Sequence, residues 1–166
     1  MSAIPKSAIP RRAWTAYVIA AAVIVADQLV KHWILEGLRL PILRSVQVAG
    51  PLYLTLVWNQ GVSFGLLQAQ HDVVRWALTA FSLIMAVVLA VWARKADRLV
   101  SVVALGLVIG GAIGNAIDRA RFGAVVDFVD VSRLGFFPWV FNVADSGITV
   151  GVILLLLDGL RRERPA

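Results

Sequence analysis

Four stretches of this chain are each long and apolar enough to cross a hydrocarbon core about 30 Å thick, and nothing else in the sequence narrows the fold as far. They run from about Ala13 to Leu35, Val73 to Ala93, Leu99 to Ile117 and Phe136 to Leu157. Lipid offers no hydrogen bonds, so a crossing segment must satisfy its own backbone, and these runs are expected to be helices. Composition agrees: 60% of the 166 residues are hydrophobic and 16% charged, with mean hydropathy +0.82, which is not the surface of a water-soluble domain. The expected fold class is an all-α integral membrane protein with four transmembrane helices, residues 1–166 forming a single membrane domain.

Basic residues orient it. Lys6, Arg11, Arg12, Arg94, Lys95, Arg98, Arg161, Arg162 and Arg164 fall in the tails and the short loop between the second and third runs. Short flanking segments of this kind stay in the cytoplasm, so both termini are expected there. Lys31, Arg39, Arg44, Arg75, Arg119, Arg121 and Arg133 lie at or beyond the opposite ends. Trp14 and Trp92 then mark the inner boundary and Trp33, Trp76 and Trp139 the outer one. The net charge of +6 is thus spent at span ends, and no nucleic-acid partner is implied. The first run carries Asp27 and Lys31 and precedes three more spans, which suits a retained helix better than a cleaved signal peptide. The absence of cysteine removes disulfides and thiol catalysis, and His32 and His71 alone make no metal cluster.

Residues 44–58, RSVQVAGPLYLTLVW, have a different texture: β-branched and aromatic, with a Gly-Pro break and then the turn-like Asn59-Gln60-Gly61. One or two short strands are expected, in an extracytoplasmic β region spanning about residues 40–68. Residues 119–135 read as a short mixed loop with a brief surface helix.

The polar residues gather at one depth. At about 1.5 Å per residue from Ala13, Asp27 lies roughly 21 Å up its helix, in the outer half. Asn115 and Asp118 end the third run, Asp127 follows in the loop, and Asp145 sits one or two turns into the fourth. Bland explanations exist for several. Asp27 and Lys31, spaced i, i+4, could neutralise each other; Asp118-Arg119 could be an interfacial charge pair. Gly106, Gly110 and Gly114 form a small-xxx-small stripe suited to close helix packing. Asp145 has no basic neighbour, with Asn142 one turn away, and an unneutralised carboxylate at membrane depth points to function.

Four strings carry the reading further: Asp27-x-x-x-Lys31, NQGVSFG (59–65), GGAIGNAIDR followed by FGAVVDF (110–128), and FNVADS (141–146). In this order and spacing they resemble the lipoprotein signal peptidase family, bacterial signal peptidase II, over about residues 14–157. The resemblance implies a membrane aspartic endopeptidase that cleaves diacylglyceryl-modified prolipoproteins on the amino side of the lipidated cysteine. Asp127 and Asp145 fall on the family's catalytic pair. Asp27, Lys31, Asn59, Gly61, Gly111, Asn115, Asp118, Arg119, Asn142 and Ala144 fall on positions that support site or substrate. No cofactor or metal is implied. The expected setting is the bacterial inner membrane, among its lipids, with a monomer working near the extracytoplasmic face. Two carboxyls close together in a dry site share a proton, one taking a proton from water while the other donates to the oxyanion.

Two rivals remain. A Ser–Lys protease would pair Lys31 with Ser63, Ser132 or Ser146, but no serine lies beside Lys31 in sequence. A small proton-coupled carrier would need polar groups lining a path through the membrane, and here they cluster at one level.

Overall fold

The computed structural model describes residues 9–61, 71–135 and 139–162. Lys6, Arg164, Ser63, residues 62–68 of the β region and residues 136–138 of the fourth apolar run lie outside the described residues. Four long helices are apolar enough to cross a membrane: α1 (Arg11–His32), α3 (His71–Ala93), α4 (Leu99–Phe122) and α5 (Val143–Arg162). A π-helical segment, Trp33–Gly37, continues α1, and a single turn, α2 (Leu40–Leu43), follows it. Strands β1 (Ser45–Ala49), β2 (Leu52–Asn59), β3 (Val125–Asp130) and β4 (Val140–Phe141) form one antiparallel sheet in the order β1-β2-β3-β4.

Helix α4 is the axle. Two-thirds (67%) of its most apolar window is buried, against 17–22% for the other three, and it packs on α1, α3 and α5. Its small residues explain how. A Cβ on Gly106 would lie 2.7 Å from the Ala16 carbonyl oxygen, and one on Gly110 equally close to that of Ala20, so α1 meets α4 backbone to backbone. One residue on, Gly111 faces α5, where a Cβ would strike the Ala144 carbonyl oxygen. Without a hydrophobic force between helices in lipid, such close contact is what holds them together. The expected glycine stripe is present and extends to a second face of the same helix.

The helices alternate in direction. Tyr17 Oη near the start of α1 donates to the Ala90 carbonyl near the end of α3 at 3.0 Å. At the same end Asp158 of α5, 4% exposed, accepts from Ser101 Oγ at 2.6 Å and pairs with Arg98 at 2.7 Å. At the sheet end Arg75 of α3 donates to the carbonyls of Arg119 and Ala120 at 2.7 and 2.8 Å, in the last turn of α4, where the Arg119 carbonyl also accepts the Gly123 N–H. Gly123, at φ +80°, then turns the chain out of α4 toward β3.

Three expectations are corrected. Residues 44–58 do form two strands, β1 and β2, but their sheet has four, because residues 119–135 supply β3, with only a 3-10 turn at Ser132–Leu134 in place of a surface helix, and Val140–Phe141 supply β4. Asp127 therefore sits on a strand, not in a loop. The fourth helix starts at Val143, so Asp145 lies in its first turn; the apolar Val140 and Phe141 ahead of it belong to β4. Hydropathy counts an apolar strand and a helix alike, which places the start of the run ahead of the helix.

Candidate active site

Asp127 is placed by alternation. Its neighbours Val126 and Phe128 pack into a cluster with Ile34 and Leu40, so Asp127 between them projects from the other face of β3. It lies opposite Val57 of β2, beside a bulge where β2 carries an extra residue between Leu54 and Val57. Asp145 is placed by a helix cap. Asn142 Oδ1 accepts the Asp145 N–H at 2.9 Å, and Asp145 Oδ2 accepts the Asn142 N–H at 3.3 Å, a reciprocal capping box at the start of α5.

The two aspartates share their partners. Asn142 Nδ2 donates to Asp127 Oδ1 at 2.6 Å, while the same residue caps Asp145. Asn115 Nδ2 from α4 donates to Asp145 Oδ1 at 2.7 Å. Asn59 Nδ2 from β2 donates to Asp127 Oδ2 at 2.9 Å. Asn59 is itself fixed, since its Oδ1 accepts the Gly61 N–H at 2.8 Å; Gly61 adopts φ +79°, which an L side chain resists. Asp127 is 1% exposed and Asp145 is half-buried. Burial pushes the Asp127 carboxyl up to about 6, the Asn59 hydrogen bond holding it back and the Asp145 charge adding to the rise.

Beneath them lies an ionic node. Lys31 Nζ meets Asp27 Oδ2 at 2.8 Å and Asp118 Oδ2 at 2.7 Å, all three side chains being at most 3% exposed. Asp27 Oδ1 accepts the Ala144 N–H at 2.9 Å and Asp118 Oδ2 accepts the Val126 N–H at 3.0 Å. One cluster thus ties α1 and α4 to the residues flanking each aspartate of the pair. Asp27 and Lys31 do neutralise each other, but with Asp118 as a third member, and Asp118 pairs with Lys31 and not with the adjacent Arg119. One ammonium serves two carboxylates here, and removing it would strand both.

Gln28 was not anticipated. Its Nε2 donates to Asp118 Oδ1 at 2.9 Å, the oxygen Lys31 leaves uncovered, and adds a second donor to Asp27 Oδ2 at 3.2 Å. A second polar residue beside Asp27 inside an apolar run was the available signal. Asp158 was also missed, since a carboxylate near a span end looks like an ordinary interfacial charge.

Arg119 is half-buried; its Nε is enclosed with no hydrogen-bond partner among the described residues. Lys31, by contrast, is occupied by Asp27, Asp118 and Asn115, and Ser132 and Ser146 bond instead to Asp130 and to the Asn142 carbonyl. The Ser–Lys arrangement is not formed by either. Among the described residues, no group of three or more His, Cys, Asp or Glu is arranged to hold a metal ion.

Beside the pair opens a groove of about 1120 Å³. Val57, Trp58 and Trp139 line it from the sheet side, and Ser146, Thr149 and Val150 continue it down α5. Asp127 and Asp145 both reach it. The arrangement is therefore a pair of hydrogen-bonded carboxyls, one in a dry setting, on the wall of a largely apolar groove beside membrane-capable helices.

The sequence pattern of a family described as signal peptidase (SPase) II matches residues 19–161. A lipoprotein signal peptidase of Caulobacter vibrioides is 53% identical over 161 residues, 96% of this chain and 95% of that one. Another, from Methylorubrum extorquens, is 45% identical over 140 residues, 84% of this chain and 82% of the relative. A bacterial membrane enzyme solved by the in meso method at 2.3 Å resolution superposes with a TM-score of 0.76 at 30% identity, covering 92% of this chain and 94% of that one.

Proposed function

This chain belongs to the signal peptidase II family, and on that premise we propose that Asp127 and Asp145 are its catalytic pair. It is an aspartic peptidase that removes signal peptides from prolipoproteins, a multi-pass protein of the bacterial inner membrane. The observation that carries the catalytic reading is Asn142. It donates to Asp127 and caps Asp145, so the two carboxyls are held as one unit on the groove wall.

In this reading Asp127, the drier carboxyl, carries the shared proton, and Asp145 is ionised. Asp145 takes a proton from a water that attacks the scissile carbonyl. Asp127 donates a hydrogen bond to the developing oxyanion, and the leaving amine collects a proton as the carbon–nitrogen bond breaks. Asn59, Asn115 and Asn142 hold both carboxyls without adding charge. The substrate is a diacylglyceryl-modified precursor cleaved on the amino side of its lipidated cysteine. The apolar groove along Ser146, Thr149 and Val150 takes the membrane-embedded part and positions the bond. The sheet and site face the extracytoplasmic side, both termini the cytoplasm, and one chain acts alone among membrane lipids.

The test is cleavage of a purified lipidated precursor by Asp127→Asn and Asp145→Asn variants. Each is expected to insert normally and to lose turnover by at least about 10³-fold, the scale of losing a general acid or base. Near-normal turnover by either variant overturns the pairing.

A further inference from the structure

We propose that Lys31 is a positioning residue for the reaction: through the Asn115 amide it fixes how Asp145 is presented. The inference rests on the catalytic pairing above and goes beyond it by placing control of that pair in α1.

An ammonium has three hydrogens to donate. Lys31 Nζ has three acceptors: Asp118 Oδ2 at 2.7 Å, Asp27 Oδ2 at 2.8 Å and Asn115 Oδ1 at 3.3 Å. The first two are ion-pair contacts; the third carries direction. Asn115 Oδ1 also accepts from Asn142 Nδ2 at 3.2 Å, so two donors converge on one amide oxygen. Turning the Asn115 amide over would set its nitrogen against both of them. Its nitrogen therefore faces Asp145 Oδ1, at 2.7 Å.

The consequence reaches the chemistry. Asp145 meets a fixed donor at Oδ1 from Asn115 and another at Oδ2 from the Asn142 backbone, so both of its oxygens are held in place. With Lys31 removed, the Asn115 oxygen keeps only the Asn142 donor, so the amide is less firmly fixed and the carboxylate it holds can shift. Misplacements on the order of 1 Å cost roughly a hundredfold in rate.

Replacing Lys31 alone leaves Asp27 and Asp118 buried without a cation, so loss of folding would be uninformative. The balanced variant Asp27→Asn/Lys31→Met/Asp118→Asn removes all three charges and keeps side-chain oxygens for the Ala144 and Val126 N–H groups. Four purified proteins close a cycle: wild type, the balanced variant, Asn115→Ala, and the two combined. The expected result is kcat lowered about 10- to 100-fold by each change, KM within about twofold, and no further loss when they are combined. Multiplying losses, or a balanced variant with undiminished kcat, overturns the proposal.

Should the balanced variant fail to insert, Asn115→Asp decides the matter. It retains an oxygen for Lys31 but cannot donate to Asp145 when ionised. A similar fall in kcat with normal thermal stability is expected; full kcat overturns the relay. Asp127→Asn and Asp145→Asn run alongside, and turnover by either of these would instead remove the catalytic pairing on which the relay rests.

Discussion

At the scale of single residues, the site is built from neutral amides around two carboxyls, with the charges kept one layer below. Asn59, Asn115 and Asn142 touch the pair, while Lys31, Asp27 and Asp118 touch the amides and the backbone beside it. A pH dependence follows. Asp127, pushed up to about 6 by burial, is protonated below that value and loses its proton as pH rises through it. If Asp127 must start protonated, kcat/KM falls on the alkaline side with an apparent value near 6. Asn59→Ala removes a hydrogen bond that favours the ionised form, so the same limb should move to higher pH. Rates from pH 5 to 9 with a lipidated precursor check both points; a limb that stays put in the variant contradicts the assignment of Asp127 as proton carrier. The strings Asp27-x-x-x-Lys31, NQGVSFG, GGAIGNAIDR with FGAVVDF, and FNVADS made the pair legible in the sequence through their resemblance to the signal peptidase II family. Gln28 was legible only as a second polar residue beside Asp27 in an apolar run, which does not say that it donates to two carboxylates.

At the scale of elements, the long helices were readable because a membrane-length apolar run has few alternatives. The sheet was readable only in part. Residues 44–58 advertise strands by composition, whereas β3 is VVDFVD, buried on both faces, and shows no alternation of polar and apolar residues. Its pairing with β2 is long-range and invisible to local pattern. Asp127 was found by motif and not by fold for that reason, and the boundary of α5 was misread because Val140 and Phe141 are as apolar as a helix start. Close helix contact gives a stability prediction. Gly110→Val should destabilise by about 1–3 kcal/mol or more, because its Cβ meets the Ala20 backbone, which cannot yield as a side chain can. Gly159→Ala, where a Cβ meets nothing within 4 Å, should leave the midpoint unchanged or slightly raised. Thermal unfolding in detergent separates the two; equal effects would show that the α1–α4 contact is looser than described.

At the scale of the whole molecule, two ends are tied differently. One is closed by Asp158 with Ser101 and Arg98, and by Tyr17 on Ala90; the other carries the sheet, the ionic node and the groove. The proposed orientation puts the first end in the cytoplasm. The chain has no cysteine, so single introduced cysteines report sidedness cleanly. Ala96→Cys, in the loop between α3 and α4, should be labelled by an impermeant maleimide from the cytoplasmic side alone, and Val48→Cys on β1 from the opposite side alone. The reverse pattern would invert the topology. The deepest commitment concerns the chemistry: one pair of aspartates, held by shared asparagines, cleaves a lipidated precursor. A gel-shift assay tests it most directly, with purified wild type, Asp127→Asn and Asp145→Asn, each given diacylglyceryl-modified and unmodified precursor. Only wild type with the modified precursor should give the shifted product; cleavage by either aspartate variant, or equal cleavage of the unmodified precursor, would contradict it.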